Sequence, residues 1–330
     1  MGKKGGGTTG GTGGTGGTTP TTATRTFNYV SSGETLQAKM RGSINLAQGG
    51  TVDTWYFGSG FNGDRQWAGP VIEGIEGQEV SITLTSARAH TIHFHGLDVD
   101  QANDGTPATS GYVSNGKGNS LFGRVEGYVN LGSSFTYRFI APHAGTYHYH
   151  CHVDTPLHYD MGMHGTVIIR PANGSATDAW EGGPTFSKEY VWQLGTFDTS
   201  WRAVDVSGPV TARYRPDCFM INGRNGADAQ SDPTVAVTAN AGDKVLIRVN
   251  QSSFQSARIE LGGLPFEVIA SDGRPLPAPL TKTSLYASPG ERYDLLVTMP
   301  AAGTRYATVS YYDNRGANVI SSVVTTLTSV

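Results

Sequence analysis

Apolar residues alternate with polar ones in short runs along most of the chain after residue 25. The run EVSITLTS at 79–86 places Val80, Ile82 and Leu84 on one face, and DKVLIRVN at 243–250 repeats the pattern. Glycine, proline, asparagine and aspartate separate these runs, and no run of similar length has a helical period. Such alternation predicts β-strands, and closely spaced strands joined by turn residues favour β-sandwich or barrel domains.

The strand pattern occurs twice. Residues 132–152, GSSFTYRFIAPHAGTYHYHCH, align without gaps with residues 290–310, GERYDLLVTMPAAGTRYATVS. In the second copy Thr308, Val309 and Ser310 stand where the first copy has His-Cys-His. We therefore predict an all-β chain of two tandem copies, of which only the first carries a metal-binding set.

The segment at 170–184 is rich in glycine, alanine, proline and asparagine and predicts a domain boundary. We expect the first domain over 25–172 and the second over 185–330, each close to the usual domain size. Residues 1–24 contain ten glycines and nine threonines, a composition that cannot bury apolar surface. This segment is expected to be a disordered tail.

Composition removes several classes of function. The formal net charge of −3 gives no basic surface for nucleic acid. No apolar run approaches the roughly 20 residues that a membrane span needs, and the residues after Met1 do not resemble a signal peptide. We nevertheless expect an exported protein, periplasmic, cell-surface or extracellular, because a free thiolate ligand and oxygen chemistry suit that environment.

Histidines are concentrated in one stretch, HYHCHVDTPLHYDMGMH at 148–164. It holds five of the nine histidines and one of the two cysteines. The other histidines are His90, His93, His95 and His143, and none follows residue 164. This clustering predicts a metal site rather than scattered core or surface histidines.

Strand geometry divides this stretch into two sets. Side chains alternate across a strand, so Cys151 faces one way while His150 and His152 face the other. On the cysteine side a thiolate, two imidazoles and a weak axial thioether would form the trigonal site of a blue copper centre. The candidate ligands on this side are His90, Cys151, His158 and Met163.

On the opposite side, His150 and His152 can meet His93 and His95, which share a face through their own two-residue spacing. Four neutral nitrogens without a carboxylate or thiolate suit copper or zinc. The methionine in the other set favours copper, because a zinc site does not explain a thioether ligand.

At this point the sequence resembles the cupredoxins and, among them, the multicopper oxidases. HTIHFHG at 90–96 is similar to the first copper motif of that family, and HCHVDTPLHYDMGM at 150–163 is similar to its last. The resemblance implies two tandem cupredoxin-like Greek-key β-sandwich or barrel domains, with the second domain free of copper. It implies type 1 copper ligands at His90, Cys151, His158 and axial Met163, type 2 and type 3 ligands at His93, His95, His150 and His152, and a catalytic acid for protons at Asp104.

Two departures from the family pattern matter. The spacing from Cys151 to His158 is longer than the common laccase spacing, so the ligand loop carries an insertion. The trinuclear centre of the family takes histidines from two domains, whereas the second domain here has none.

Two copies of the first domain can face each other and complete the centre. Alternatively, four nitrogens hold a smaller copper site or a partner chain supplies the remaining ligands, or only the blue site is filled. A two-domain nitrite reductase fits less well, because that family has an aspartate where His93 stands.

The resulting prediction is a copper-dependent oxidoreductase that oxidises a small reducing substrate one electron at a time and reduces O₂. Electrons are expected to enter at the edge of His158, and the site is expected to be completed in a homo-oligomer. The alternative is a blue copper electron-transfer or copper-binding protein, serving an electron-transfer partner and lacking oxidase activity. Of the remaining histidines, we expect His143 to be exposed, His148 to be at most an accessory ligand and His164 to be peripheral.

Overall fold

A computed structural model describes residues 27–47, 49–60, 67–114, 129–203, 213–313 and 315–330. The tail predicted at 1–24 lies outside these residues. Within the described ranges, no helix has the length and apolar character needed to cross a membrane.

Strands make up most of the described chain. They are β1 (Tyr29–Ser31), β2 (Thr35–Asn45), β3 (Thr51–Gly58), β4 (Val71–Ile75), β5 (Glu79–Thr85), β6 (His93–His95), β7 (Ser134–Ile140), β8 (Gly145–His150), β9 (His164–Arg170), β10 (Lys188–Phe197), β11 (Cys218–Ile221), β12 (Val237–Ala239), β13 (Lys244–Ser252), β14 (Ala257–Glu260), β15 (Phe266–Ser271), β16 (Arg274–Lys282), β17 (Ser284–Ala287), β18 (Arg292–Thr298), β19 (Gly303–Tyr312) and β20 (Val319–Ser329). The helices are short: α1 (Pro107–Ser110), α2 (Thr155–Met161), α3 (Gly226–Ser231) and a 3₁₀ turn at Thr199–Ala203.

Each half of the chain forms two sheets. The first half has one sheet in the order β1-β4-β9-β8-β6 and another in the order β3-β2-β5-β7. A buried core that includes Phe94, Tyr137 and Tyr149 lies between them. The second half has sheets in the orders β12-β20-β19-β14-β17 and β11-β10-β13-β18-β15-β16, with a core of its own.

The two halves pair their strands in the same way. Strand β4 runs parallel to β9 as β12 does to β20, and β8 pairs antiparallel with β9 as β19 does with β20. The partner sheets also match, since β5 pairs antiparallel with β7 as β13 does with β18. The prediction of an all-β chain built from two copies of one strand plan is confirmed. The boundary expected at 172–185 stays a prediction.

A buried ion network joins the two halves. Arg170 at the end of β9 donates to Glu189 of β10 at 2.7 Å, and Arg248 of β13 donates to the same carboxylate at 2.6 Å. Arg248 also donates to Asp294 at 3.0 Å, and its side chain is fully buried. Buried charges of this kind need all of their partners, so the network fixes one half against the other.

Strand β8 is buried on both faces along its whole length. The core of the first half covers one face, and the second half covers the other, where the Thr146 hydroxyl donates to the Asp294 carboxylate at 2.5 Å. Polar side chains on β8 are therefore held in a dry, fixed environment. The histidines at the end of β8 are held in the same rigid environment.

Candidate metal centre

Three buried side chains meet at the end of β8. The Cys151 sulfur lies 3.1 Å from His158 Nδ1 and 3.6 Å from His90 Nδ1. Their potential ligand atoms all lie within 4.8 Å of one another, and none of the three residues is exposed. The predicted cysteine-side set is thus brought together by the fold, and we call it the thiol site.

Three different elements supply these side chains. His90 is held by a short backbone bridge in which its N–H donates to the Val113 carbonyl at 3.1 Å and its carbonyl accepts from the Val113 N–H at 3.0 Å. Cys151 directly follows β8, and His158 lies in α2. Trp55 packs edge-on against the His158 ring with centroids 5.4 Å apart.

Helix α2 was not predicted from the sequence. It begins after Asp154, which has a φ of 44°, with Pro156 in its first turn. It ends at Gly162, which has a φ of 110° and whose N–H donates back to the His158 carbonyl. Only glycine suits Gly162, because a Cβ would also meet the Trp67 ring at 2.6 Å. Proline at the start and glycine just past the end are the signals that would have found this helix.

Met163, the fourth predicted residue of the thiol site, is fully buried. The Cys151 N–H donates to the Met163 carbonyl at 3.0 Å, and the Met163 N–H donates to the His158 carbonyl at 3.0 Å. The backbone of Met163 is therefore bonded directly to the residues that carry two other candidate ligands. Met161, the other methionine of the stretch, is also buried and lies within α2.

Burial sets the protonation of the thiol site. It raises the pKa of the Cys151 thiol to about 12, and it lowers the pKa of His90 to about 3, with the nearby Arg88 charge adding to that effect. Burial also lowers the pKa of His158 well below its ordinary value. The imidazoles are thus neutral and ready to donate their lone pairs, whereas the thiol must lose a proton to become a metal ligand.

The second predicted set also converges. Strand β6 pairs with β8 so that His93 lies opposite His150. The ligand atoms of His93, His95 and His150 lie within 4.8 Å of one another. His152 joins them at one side, with ring centroids 5.2 Å from His93 and 5.8 Å from His150. We call these four residues the histidine cluster.

Hydrogen bonds orient two rings of the histidine cluster. His93 Nδ1 lies 2.8 Å from the Asp104 carbonyl oxygen, and His150 Nδ1 lies 2.9 Å from the Cys151 carbonyl oxygen. In both rings Nδ1 donates, which leaves Nε2 with its lone pair as the ligand atom. Burial lowers the pKa of His95 to about 4, with the Arg292 charge adding to the effect, so this ring is also neutral.

Asp104 lies beside His93 at the edge of the cluster. One of its carboxylate oxygens is 3.3 Å from His93 Nδ1, and the other accepts from the Thr106 hydroxyl at 2.6 Å. Its side chain is 26% exposed, so the carboxylate contacts both solvent and a cluster histidine. The sequence prediction put Asp104 next to this set, and the geometry agrees with that proximity.

Three further histidines lie outside both sets. His148 is buried, with Nε2 2.9 Å from the Tyr159 hydroxyl and Nδ1 2.9 Å from the Asn250 amide nitrogen, so both ring nitrogens are engaged. His164 is fully buried at the start of β9 and belongs to neither donor set. His143 is half-buried in its turn rather than freely exposed.

Residues of the second half approach the site in ways that the sequence did not indicate. The buried Arg292 guanidinium lies beside His95, held by Asp272 at 3.2 Å. The Asn250 side-chain amide, on β13, is hydrogen-bonded to His148 Nδ1. No local motif marks Arg292 or Asn250 for these roles, because only the packing of the two halves brings them there.

The thiol site fits copper. A cysteine sulfur, two imidazole nitrogens turned toward it and a neighbouring buried methionine are the donors of a blue copper centre. The histidine cluster supplies nitrogen donors alone, which copper also accepts. Hydrogen bonds orient the His93 and His150 rings, and Trp55 packs against the His158 ring.

Comparison with known proteins gives a consistent result. Two family models, both described as multicopper oxidase, match residues 57–174 and 197–328. Multicopper oxidase MmcO of Mycobacterium tuberculosis is 28% identical over 76% of this chain and 49% of its own length. Laccase-7 of Oryza sativa subsp. japonica is 30% identical over 74% of this chain and 42% of its own length. The chain thus spans about half or less of these curated relatives.

A solved structure extends the likeness to most of the fold. The blue copper oxidase from Nitrosomonas europaea superimposes with a TM-score of 0.68 at 25% identity, covering 92% of this chain and 86% of that chain. The likeness confirms the prediction that the fold consists of cupredoxin-like copies.

Proposed function

Because the chain belongs to the multicopper oxidase family, whose members bind copper, we propose that it is a copper-dependent oxidoreductase. In this proposal a small reductant gives up electrons one at a time at the thiol site, and O₂ is reduced at the histidine cluster. A second copy of the chain completes the histidine cluster. Function in the periplasm, at the cell surface or outside the cell is part of the same proposal.

One observation carries this proposal. Cys151 lies between His150 and His152, and the His150 ring donates a hydrogen bond to the Cys151 carbonyl oxygen at 2.9 Å. The two donor sets are therefore linked both by adjacent peptide bonds and by one hydrogen bond. A protein that only stored copper would not need two unlike sites joined in this way.

Copper bound at these donors would supply one-electron exchange at the thiol site and oxygen reduction at the histidine cluster. The chain's own residues prepare both places. Neutral imidazoles are held with their lone pairs free, and burial excludes water from the Cys151 sulfur. The Asp104 carboxylate is partly exposed and lies 3.3 Å from His93 Nδ1, so it would hold and pass the protons that oxygen reduction consumes.

In this proposal, the route by which electrons reach the thiol site differs from the one expected from the sequence. His158 is fully buried, with Trp55 against its ring, so a reductant bound to this chain does not touch the imidazole. Electrons would have to cross Trp55 or Tyr159, the residue that follows His158. The 5.4 Å between the ring centroids of Trp55 and His158 is short enough for electron transfer through the protein.

Completion by a second copy follows from the ligand count. Of the nine histidines, all lie in the first half of the chain, and both nitrogens of His148 are already hydrogen-bonded. His93, His95 and His152 are only partly buried, so the cluster has an accessible side. Two clusters facing each other across a twofold interface would double the number of nitrogen donors.

The test combines three measurements on the copper-loaded protein: copper per chain, the visible spectrum and oxygen consumption with a phenolic reductant. The proposal expects a thiolate-to-copper band, more than one copper per chain and oxygen uptake. Native mass spectrometry should then show an oligomer. A strictly monomeric chain that consumes oxygen would contradict completion by a second copy.

A second function is favoured by the absence of histidines after residue 164. If the cluster stays incomplete, the thiol site alone would make the protein a blue copper electron carrier. That function predicts the same visible band with one copper per chain and no oxygen uptake. A colourless copper-treated protein with a freely titrating Cys151 thiol would contradict both functions.

A further inference from the structure

A cavity of about 610 Å³ opens in the second half of the chain, away from both donor sets. Its walls are the segment 213–216 that leads into β11, Gln255 after β13, and Asp313 with residues 315–320 between β19 and β20. This volume is within the range of small-molecule sites, about 300–1,000 Å³. Nothing in the copper chemistry described above uses it.

The lining of the cavity is cationic in a chain whose formal net charge is −3. Arg213, Arg215 and Arg315 all line it, and within the described ranges none of their guanidinium groups is paired with a carboxylate. The one lining carboxylate, Asp313, is occupied by its own turn, where it accepts from the Ala317 N–H at 3.0 Å and the Asn318 amide at 2.8 Å. The three guanidiniums are therefore available to an anion.

One wall of the cavity is aromatic and continues into the protein. The Tyr214 ring lies 5.1 Å from Phe254 and 5.0 Å from Trp201, centroid to centroid. Phe254 lies 5.4 Å from Tyr159, the residue that follows His158, and Tyr159 lies 5.5 Å from His150. The aromatic ring of a ligand that contacts Tyr214 would thus be connected through Phe254 and Tyr159 to His150 of the histidine cluster. Tyr159 also adjoins the thiol site, because its backbone follows that of His158.

We propose that this cavity binds a small aromatic carboxylate, with the arginines holding the carboxylate and Tyr214 contacting the ring. Resting on the proposed function, the bound anion is the reducing substrate. When the ring of this carboxylate also carries a hydroxyl, it would give one electron to the copper that the thiol site would hold and its hydroxyl proton to water. The product is a phenoxyl radical that keeps its carboxylate.

Binding is tested by isothermal titration of the full chain, with and without copper, using vanillate as the probe. Vanillyl alcohol, which lacks the negative charge, and acetate, which lacks the ring, are the ligand controls. We expect vanillate to bind at least about tenfold more tightly than either control and to weaken as salt rises. Equal binding of vanillate and vanillyl alcohol, or of vanillate and acetate, would overturn the proposal.

The protein controls are matched arginines. Arg315→Gln should weaken vanillate binding about tenfold, whereas Arg305→Gln, at an exposed arginine of β19, should leave it unchanged. Equal effects of the two variants would also overturn the proposal. If the protein consumes oxygen with vanillate, Arg315→Gln should raise KM and leave kcat unchanged. Vanillate binding without any oxygen uptake would instead sink the proposed oxidase function while leaving the anion site standing.

Discussion

His150 Nδ1 lies 2.9 Å from the carbonyl oxygen of Cys151, so a single hydrogen bond spans the two donor sets. This bond fixes the tautomer of His150, because a ring that donates from Nδ1 presents the Nε2 lone pair to the cluster. It also ties the imidazole to the peptide unit that carries the Cys151 sulfur. The order His-Cys-His at the end of β8 is what makes this geometry possible.

The two cysteines provide the first test of the thiol site. Cys151→Ser should abolish the intense visible absorption of the copper-loaded protein, because the thiolate that gives rise to it is gone. Cys218→Ser is the matched control, since Cys218 is equally buried but lies in β11, packed with Trp67 and Phe197. The absorption spectrum of both variants, loaded with copper under the same conditions, is the measurement. Colour retained in Cys151→Ser would remove this residue from the metal site.

A second pair of variants separates the histidine cluster from the thiol site. His152→Ala should keep the visible band but lower the copper content and the rate of oxygen uptake, because a cluster nitrogen is lost and the thiol site is untouched. His143→Ala, at a half-buried turn outside both sets, should change neither. Copper analysis and an oxygen electrode distinguish the two outcomes. Full oxygen uptake in His152→Ala would show that the division of the stretch into two faces is wrong.

The main features of the fold follow from short-range patterns. Alternation of apolar residues and the internal repeat are sufficient for the all-β architecture and the duplicated strand plan, since both depend on residues close in sequence. The same parity argument places Cys151 and His150 in separate donor sets. The structure brings His90 Nδ1 to 3.6 Å from the Cys151 sulfur, and His90 is the partner that the resemblance to the multicopper oxidases implied.

What the sequence did not reveal depends on packing between the halves. Nothing in the sequence marked His164 as buried, yet it lies fully buried at the start of β9, a strand that is buried on both faces. Arg292 and Asn250 reach the histidines from strands more than eighty residues away in the chain. No local pattern encodes such contacts, because they arise only when one sandwich packs against the other.

Gly105 provides a test of the backbone next to the histidine cluster. Its φ is 75°, and a Cβ would overlap the Ile92 carbonyl and the His93 backbone nitrogen, which cannot move aside as a side chain can. The free energy of unfolding of Gly105→Ala should therefore be about 1–3 kcal/mol lower than that of Gly33→Ala. Gly33 is the control because its φ is 93° and a Cβ there meets nothing within 4 Å.

Urea denaturation of both variants measures this difference. Gly105→Ala should also lose copper from the cluster, since the adjacent Asp104 carbonyl orients His93 at 2.8 Å. Equal destabilisation by the two substitutions would show that the chain relaxes around Gly105 and that the close approach is unimportant.

Glu189 provides the last prediction, on the stability of the interface between the halves. Burial alone would raise the pKa of Glu189, but the Arg170 and Arg248 guanidiniums outweigh it and hold the pKa well below its ordinary value. Glu189→Gln leaves two buried guanidiniums without their shared carboxylate and should cost about 3–5 kcal/mol of unfolding free energy. Glu79→Gln is the control, because its pair with Arg138 is exposed and should be worth less than about 1 kcal/mol.

The pH dependence of that difference gives a sharper check. A carboxylate whose folded pKa is lowered stabilises the protein fully above its unfolded pKa, about 4.3, and loses this contribution as pH falls through the folded value. The gap between wild type and Glu189→Gln should thus be constant near neutral pH and shrink below about pH 4. Burial raises the pKa of Asp294 in the same network, so its own contribution has the opposite trend. A gap that widened on acidification would show that Glu189 is protonated in the folded protein and does not pair with the arginines.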